Sequence, residues 1–351
     1  MNTLKHFGLI SLISLLSLTG CHKAPQYNEP FAIGADVSWL SEMEHDSMLF
    51  LNAAGEADDC LNVLKEVGCD AIRLRVWVNH ATGWSNLPDV LGLAVRAHDA
   101  GLQLMIDIHY SDFFADPQRQ DIPKEWQALN LEELCLAVGA HTVEVLSALK
   151  DAGIEPTWVQ IGNETTNGML WPFGALKSES GWRNYARLSN CGYEAAKQVF
   201  PNICCIVHVD NAFIPRVPWF RHFQAVGGKW DMIGLSHYPF TQDTIAPMEM
   251  NTLCAENIRQ LHDTFACPVM LTEIGIASWL PEQADACIRD FRQKTDGLKG
   301  YVGVFYWEPE VYGGWRPAEY IPLGWGSYPM GAFHEGAPMQ ALVTLYHHEE
   351  K

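Results

Sequence analysis

The sequence is short of cations. It has 23 Lys and Arg against 42 Asp and Glu, a formal net charge of −19. So acidic a surface repels nucleic acid and anionic lipid and leaves neutral ligands unaffected. Metal-binding patterns are missing as well. Ten cysteines stand at positions 21, 60, 69, 135, 191, 204, 205, 254, 267 and 287. None forms a CxxC pair or lies near a His at zinc-ligand spacing, so no metal centre is read from them. Cys204 and Cys205 are neighbours on an extended run, point to opposite faces and do not bridge each other. Most of the cysteines read as small buried hydrophobes. The chain also lacks internal repeats, low-complexity segments and any composition break that would mark an interdomain linker. What it does have is 48% hydrophobic residues, enough for a large core, and 13 Trp and 11 Tyr, ample aromatic surface for stacking on a neutral ligand.

Residues 1–20 read as a signal segment. Lys5 supplies the positive start and residues 7–18 an apolar stretch too short to span a bilayer comfortably. It ends in Leu18-Thr19-Gly20-Cys21, which resembles the lipobox of bacterial lipoproteins and implies cleavage before Cys21 and lipidation of its thiol. Residues 21–30 are polar and proline-containing, as a tether should be. The expectation is a protein lipid-anchored in a bacterial cell envelope, at the outer membrane on its periplasmic or surface face.

Residues 31–351 read as one catalytic domain. Apolar runs at 32–37, 71–76, 103–108, 158–161, 204–209, 232–235, 269–272 and 302–306 alternate with segments of helical apolar spacing such as 58–67, 87–100, 131–152 and 281–298. Gly68, Gly101 and Gly153 stand where helix C-termini are expected. Eight such units predict an α/β fold, a single (β/α)₈ TIM barrel. The residues just past each run decide what the barrel is for. They are Asp36, Arg73 and Arg75 with Trp77, His109 with Asp112, Asn163-Glu164, Asp210, His237-Tyr238, Glu273 and Trp307. A barrel brings these strand ends to one face, where active sites of this fold are built. Any one of them has a structural explanation; eight together do not.

The stretch 158–172, WVQIGNETTNGMLWP, is the centre of this pattern. An isolated Asn-Glu reads as a polar turn opening a helix. At a strand end with aromatic neighbours it suits sugar chemistry: a carboxyl to feed a proton to a leaving oxygen, an amide to hold a hydroxyl, and Trp171 to stack on a pyranose. Glu273 ends the seventh run, nearly opposite the fourth. Two carboxyls facing each other at roughly 5–5.5 Å make a retaining glycosidase. The ionised partner needs support, which Arg73, Arg75 (nearer the catalytic end) and Tyr238 are placed to give. Trp77, Trp171 and Trp307 are candidate sugar platforms, and Asp36, His109, Asp112, Asp210 and His237 candidate polar contacts. No glycine-rich cradle follows the last two runs, since Gly313-Gly314 leads into Trp315-Arg316, which argues against a phosphate-binding barrel.

These residues carry a family resemblance. GADVSWL (34–40), RLRVW (73–77), HYSD with ADP (109–112, 115–117), VQIGNE with NGMLWP (159–164, 167–172), HVDN (208–211), IGLSHYP (233–239), LTE (271–273) and FYWEP (305–309) recur in order. The chain thus resembles the endo-β-1,4-galactanases of glycoside hydrolase family 53 along essentially its whole mature length. The resemblance implies Glu164 as acid/base, Glu273 as nucleophile, Asn163 as a partner of the sugar, and an arabinogalactan-type polysaccharide as substrate, handled by a monomer. Phe114 in place of a usual Trp, Thr165-Thr166 in place of Ile-Asn, and His237 in place of a Tyr are departures. Some members hold a structural calcium in a late loop; residues 311–330 here contain Glu319 as their only carboxylate, so neither metal nor cofactor is expected. The rival readings are another retaining hydrolase, such as a β-mannanase or endoglucanase, and a non-catalytic glycan-binding barrel, which should have lost one of the two glutamates.

Overall fold

Apolar residues, mostly Val, Ile and Leu, recur at alternate positions of the runs, and in the computed structural model, which describes residues 30–241 and 244–347, all eight runs are strands of one closed parallel barrel. The strands are β1 (Ala32–Asp36), β2 (Ala71–Val76), β3 (Gln103–Ile108), β4 (Trp158–Ile161), β5 (Cys204–Val209), β6 (Met232–His237), β7 (Val269–Ile274) and β8 (Tyr301–Trp307). They are paired in chain order, with β1 against β8 closing the ring. Around them lie α1 (Cys60–Glu66), α2 (Leu87–Asp99), α3 (Leu131–Asp151), α4 (Glu179–Val199), α5 (Val217–Ala225), α6 (Pro247–Phe265), α7 (Pro281–Thr295) and α8 (Gln340–Tyr346). The signal segment and Cys21 lie outside the described residues. Among those described, no helix is long and apolar enough to cross a membrane.

Helix ends follow local chemistry. Asn130 caps α3 by accepting the backbone N–H groups of Glu132 and Glu133, while the Glu133 carboxylate reaches back to the Asn130 N–H. Gly68, Gly101 and Gly153 have φ of 106°, 74° and 78°, the left-handed turn-off that ends a helix.

Strand alternation sorts the core into two bodies. Val159 and Ile161 point outward, into the large cluster shared with the helices. Trp158 points inward and joins Ala32, Ala71, Met105, Ile206, Met232, Met270 and Phe305, one residue from each strand, in a plug that fills the barrel floor. Gly34 is required beside it: a Cβ there would stand 2.2 Å from the Phe305 ring. Two residues further along, the inward positions turn polar, with Arg73, Asp107, Gln160 and His208 above Ala71, Met105, Trp158 and Ile206. An apolar plug thus carries a polar floor. β6 and β7 outlast their apolar runs by two residues each, because Ser236, His237, Glu273 and Ile274 stay in the ladder.

Candidate active site

Arg73 sits at the middle of the polar layer and is fully buried. Its Nη1 donates to Asp36 Oδ2 at 2.6 Å, and its Nη2 lies 2.8 Å from Asp107 Oδ2, 2.9 Å from Asn163 Oδ1 and 2.9 Å from Glu273 Oε1. Nε donates to Gln160 Oε1 at 2.7 Å. One guanidinium therefore braces residues of β1, β3, β4 and β7. The other oxygen of Glu273 accepts the Tyr238 hydroxyl at 2.8 Å and that of Ser236 at 3.4 Å. Across from it, Gly162 (φ 84°) lets the chain turn off β4, and Glu164 itself adopts the left-handed conformation, φ 43°. Side-chain donor atoms of Glu164, Glu273 and His208 all lie within 4.8 Å of one another.

Electrostatics separate the two glutamates. Both carboxyls are raised by burial. In Glu273 the Arg73 charge and the Tyr238 hydrogen bond oppose that rise, whereas in Glu164 the nearby charge of Glu273 adds to it and lifts the group well above the carboxylate range. One proton shared between them rests on Glu164. Despite full burial, Asp107 is held at about 2 by Arg73 and His109. The His109 tautomer follows from its neighbours: Nδ1 accepts the Ala115 N–H at 3.0 Å, so Nε2 carries the proton given to Asp107 at 2.9 Å. Burial, then Arg73, keeps His208 neutral; its ring lies 2.9 Å from Asn163 Oδ1 through Nδ1 and 2.8 Å from Ser236 Oγ through Nε2. Glu164, His208 and Glu273 are spaced closely enough for a divalent cation, but both ring nitrogens are engaged and Arg73 already neutralises Glu273. Above the pair opens a pocket of about 250 Å³, walled by Phe114, Trp307, Tyr320 and Trp325.

Residues 32–297 match the family described as Glycosyl hydrolase family 53. The chain belongs to that family. It is 32% identical to an arabinogalactan endo-beta-1,4-galactanase of Cellvibrio japonicus over 80% of this chain and 81% of that one. It is 30% identical to a probable arabinogalactan endo-beta-1,4-galactanase A of Aspergillus fumigatus over 86% and 90%. A solved structure of fungal beta-1,4-galactanases superposes with a TM-score of 0.78 at 27% identity, covering 90% of this chain and 99% of that one. A glycoside hydrolase barrel with two opposed carboxyls is what the sequence reading expects, and the fold and the family agree with it.

In this family 53 chain, the expected site residues fall into three groups. Asn163, Glu164, Glu273, Tyr238, His109 and Trp307 line the pocket. Asp112, Trp171 and Asp210 lie on the same face but outside it. Asp112 and Trp171 edge a neighbouring groove of about 420 Å³, Asp112 accepting the N–H groups of Asn79 and Lys124. Asp210 is held by Thr166 at 2.5 Å and Arg216 at 2.6 Å. Four expectations are corrected. Arg75 does not touch Glu273: one pleat repeat above Arg73 it meets Glu308 instead, at 2.7 Å. Asp36 is no sugar contact, being sealed under Arg73 and Ser38. Trp77 is no platform, because Phe113 and Phe114 of the β3 loop pack over it. His237 faces away from the barrel, bonded to Asn251 and stacked on Phe291, since Ser236 and Tyr238 take the inward positions.

Sequence reading missed Gln160, His208 and Ser236 as parts of the site, along with the aromatic wall of Tyr320 and Trp325. A usable signal existed for the first three: each continues an inward position, two or four residues beyond Trp158, Ile206 and Met232. The late-loop segment 311–330 offers no free carboxylate for a calcium ion, as Glu319 is bound to His80 at 3.0 Å.

Proposed function

We propose that this hydrolase cuts β-1,4-galactan within the chain and retains β configuration at the cleaved bond, with Glu273 as nucleophile and Glu164 as acid/base. The observation that carries this reading is the asymmetry of the carboxyl pair: one is tied to Arg73 and Tyr238, the other, less than 5 Å away, is pushed towards its neutral form by burial and by the charge of the first. In the first step Glu273 attacks the anomeric carbon while Glu164 passes its proton to the leaving oxygen. Tyr238, whose hydroxyl is kept protonated by burial and by the Glu273 charge, holds the attacking carboxylate in line. In the second step Glu164, now ionised, takes a proton from water, which displaces Glu273 from the sugar. Galactan has an axial oxygen at C4, so its chain curves, and the angled wall of Phe114, Trp307, Tyr320 and Trp325 suits a curved chain better than a flat ribbon. The named relatives support the same substrate. Incubation with β-1,4-galactan, β-1,4-mannan and cellulose, followed by sizing of products, should show internal cleavage of galactan and little action on the others. Comparable rates on all three, or a preference for mannan, would move the protein to a rival substrate class; α product first in proton NMR would sink the double displacement.

The same proposal extends to location. Cys21 carries the lipid and residues 22–30 hold a monomeric enzyme at the outer membrane. Full-length protein should sediment with membranes, Cys21→Ser should release it or block its maturation, and the enzyme freed by detergent should elute at the mass of one chain. A soluble, unmodified product in both forms would overturn the anchor, and elution as a dimer the monomer.

A further inference from the structure

Helices α3 and α4 lie side by side in the same direction, and their contact is a ladder in constant step. Glu132 pairs with Arg187 at the first rung. At the next, Cys135 and Cys191 come close enough for each thiol to perturb the other. At the third, a Cβ on Gly139 would stand 3.7 Å from the Cys191 carbonyl oxygen and 4.0 Å from Ala195 Cβ. Positions 132, 135 and 139 share one helix face, as do 187, 191 and 195. The glycine thus brings the backbones close at the very place where the sulfurs meet. Cys135 is buried and Cys191 half-buried. The neighbouring Cys135 thiol, opposed by partial burial and aided by Arg187, brings Cys191 down to about 7, while Cys135 is pushed up.

We propose that Cys135 and Cys191 are a redox site that closes to an α3–α4 disulfide when the protein meets a small-molecule disulfide such as oxidised glutathione. The Cys191 thiolate attacks one sulfur of the oxidant and expels a glutathione thiolate, which takes up the proton Cys191 gave to solvent. Cys135, losing its proton to solvent, then attacks the Cys191 sulfur of the mixed disulfide and expels the second glutathione, which is protonated in turn. Two protein thiols are oxidised by two electrons and one oxidised glutathione is reduced to two thiols. The bond would close a long loop containing β4 and Glu164. It therefore constrains the unfolded chain around the strand that carries the proposed acid.

Incubation of the purified protein with oxidised glutathione, alkylation of remaining thiols and peptide mass mapping would test this. The expected product is two hydrogens lighter, with one cross-linked peptide pair joining Cys135 to Cys191, and it melts roughly 5 °C higher than the reduced form. Under the same treatment Cys135→Ala should stall as a glutathione adduct on Cys191. Full alkylation of both thiols after oxidation, a lasting adduct on Cys191 in the unsubstituted protein, or a cross-link elsewhere would each overturn the proposal. Both outcomes are independent of glycosidase activity.

Discussion

Arg73 and Arg75 stand two residues apart on β2, point the same way and are equally buried, yet they serve different parts of the molecule. Arg73 lies in the polar floor and holds Glu273, Asp107, Asp36 and Asn163. Arg75 is one layer higher and displaced toward the wall. It pairs with Glu308, donates from Nε to Ser85 Oγ at 3.1 Å, and lies 4.7–5.3 Å from the ring centres of Trp39, Trp77 and Phe114. The lesson is that charge and burial do not mark a reacting centre; the neighbour of the neighbour does. Arg73 holds a carboxylate that looks into the pocket. Arg75 holds one that is sealed off and in contact with another buried acid, Glu310.

The sharpest way to break this comparison is to neutralise each arginine's glutamate. Glu273→Gln should cut kcat by about 10⁴-fold or more, with melting temperature unchanged or higher, because the proposed nucleophile is lost and a crowded negative charge with it. Glu308→Gln should instead leave activity per folded molecule within a few-fold and shift the melting temperature by only a few degrees, since burial already favours the neutral form of Glu308 beside Arg75. Equal effects on turnover from both would erase the distinction. A step smaller, lysine replacements test the fork. Arg73→Lys should lower kcat by roughly 10²-fold, since an ammonium cannot hold all five of its acceptors, and should shift the acidic limb of the pH–rate profile upward as Glu273 loses part of its support. Arg75→Lys should leave that limb in place.

The two layers also predict how stability responds to pH. Burial raises Glu308 to about 7, against the pull of Arg75, and burial likewise raises Glu42 to about 7. The folded chain holds these protons more tightly than the unfolded one, so their contribution is complete below about 4.5 and is lost as pH climbs towards 7. Asp107, held down at about 2, works in the opposite sense, but only as pH falls below the ordinary Asp value of 3.8. Calorimetry should therefore find that Glu42→Gln raises the melting temperature relative to the unsubstituted protein more at pH 7 than at pH 4.5. A difference that does not change with pH would contradict the assignment. The smallest effect is on the two sides of β6: Ser236→Ala should cost roughly 3–10-fold in kcat/KM and His237→Phe less than about twofold, because only the former touches Glu273.

Much of this architecture was legible in the sequence. The runs at 71–76, 103–108, 158–161 and 204–209 match β2 to β5 residue for residue, because every helix-facing position in them is apolar while the inward positions alternate between plug and polar floor. The polar ends of β6 and β7 defeated that signal, and with it the facing of His237. Glu164 and Glu273 were legible because their strand ends are polar for no packing reason. Trp77 was misread since its fate depends on Phe113 and Phe114, which the β3 loop folds back over it; Tyr320 and Trp325 belong to a loop whose path is set by tertiary contacts. Asp36 reads as a ligand contact because nothing local shows that Arg73 reaches it.

Glu164 is held at φ 43° and ψ 51°, a backbone shape that Asn, Asp and Gly adopt more readily than Glu. The position of the proposed acid/base is thus one where the chain itself favours a shorter side chain. Selection of variants for heat resistance alone would be drawn to Glu164→Asn or Glu164→Gly, both of which relax the backbone and remove a crowded acid. Any thermostability screen on this enzyme that omits an activity step will therefore enrich for well-folded barrels that no longer cut sugar.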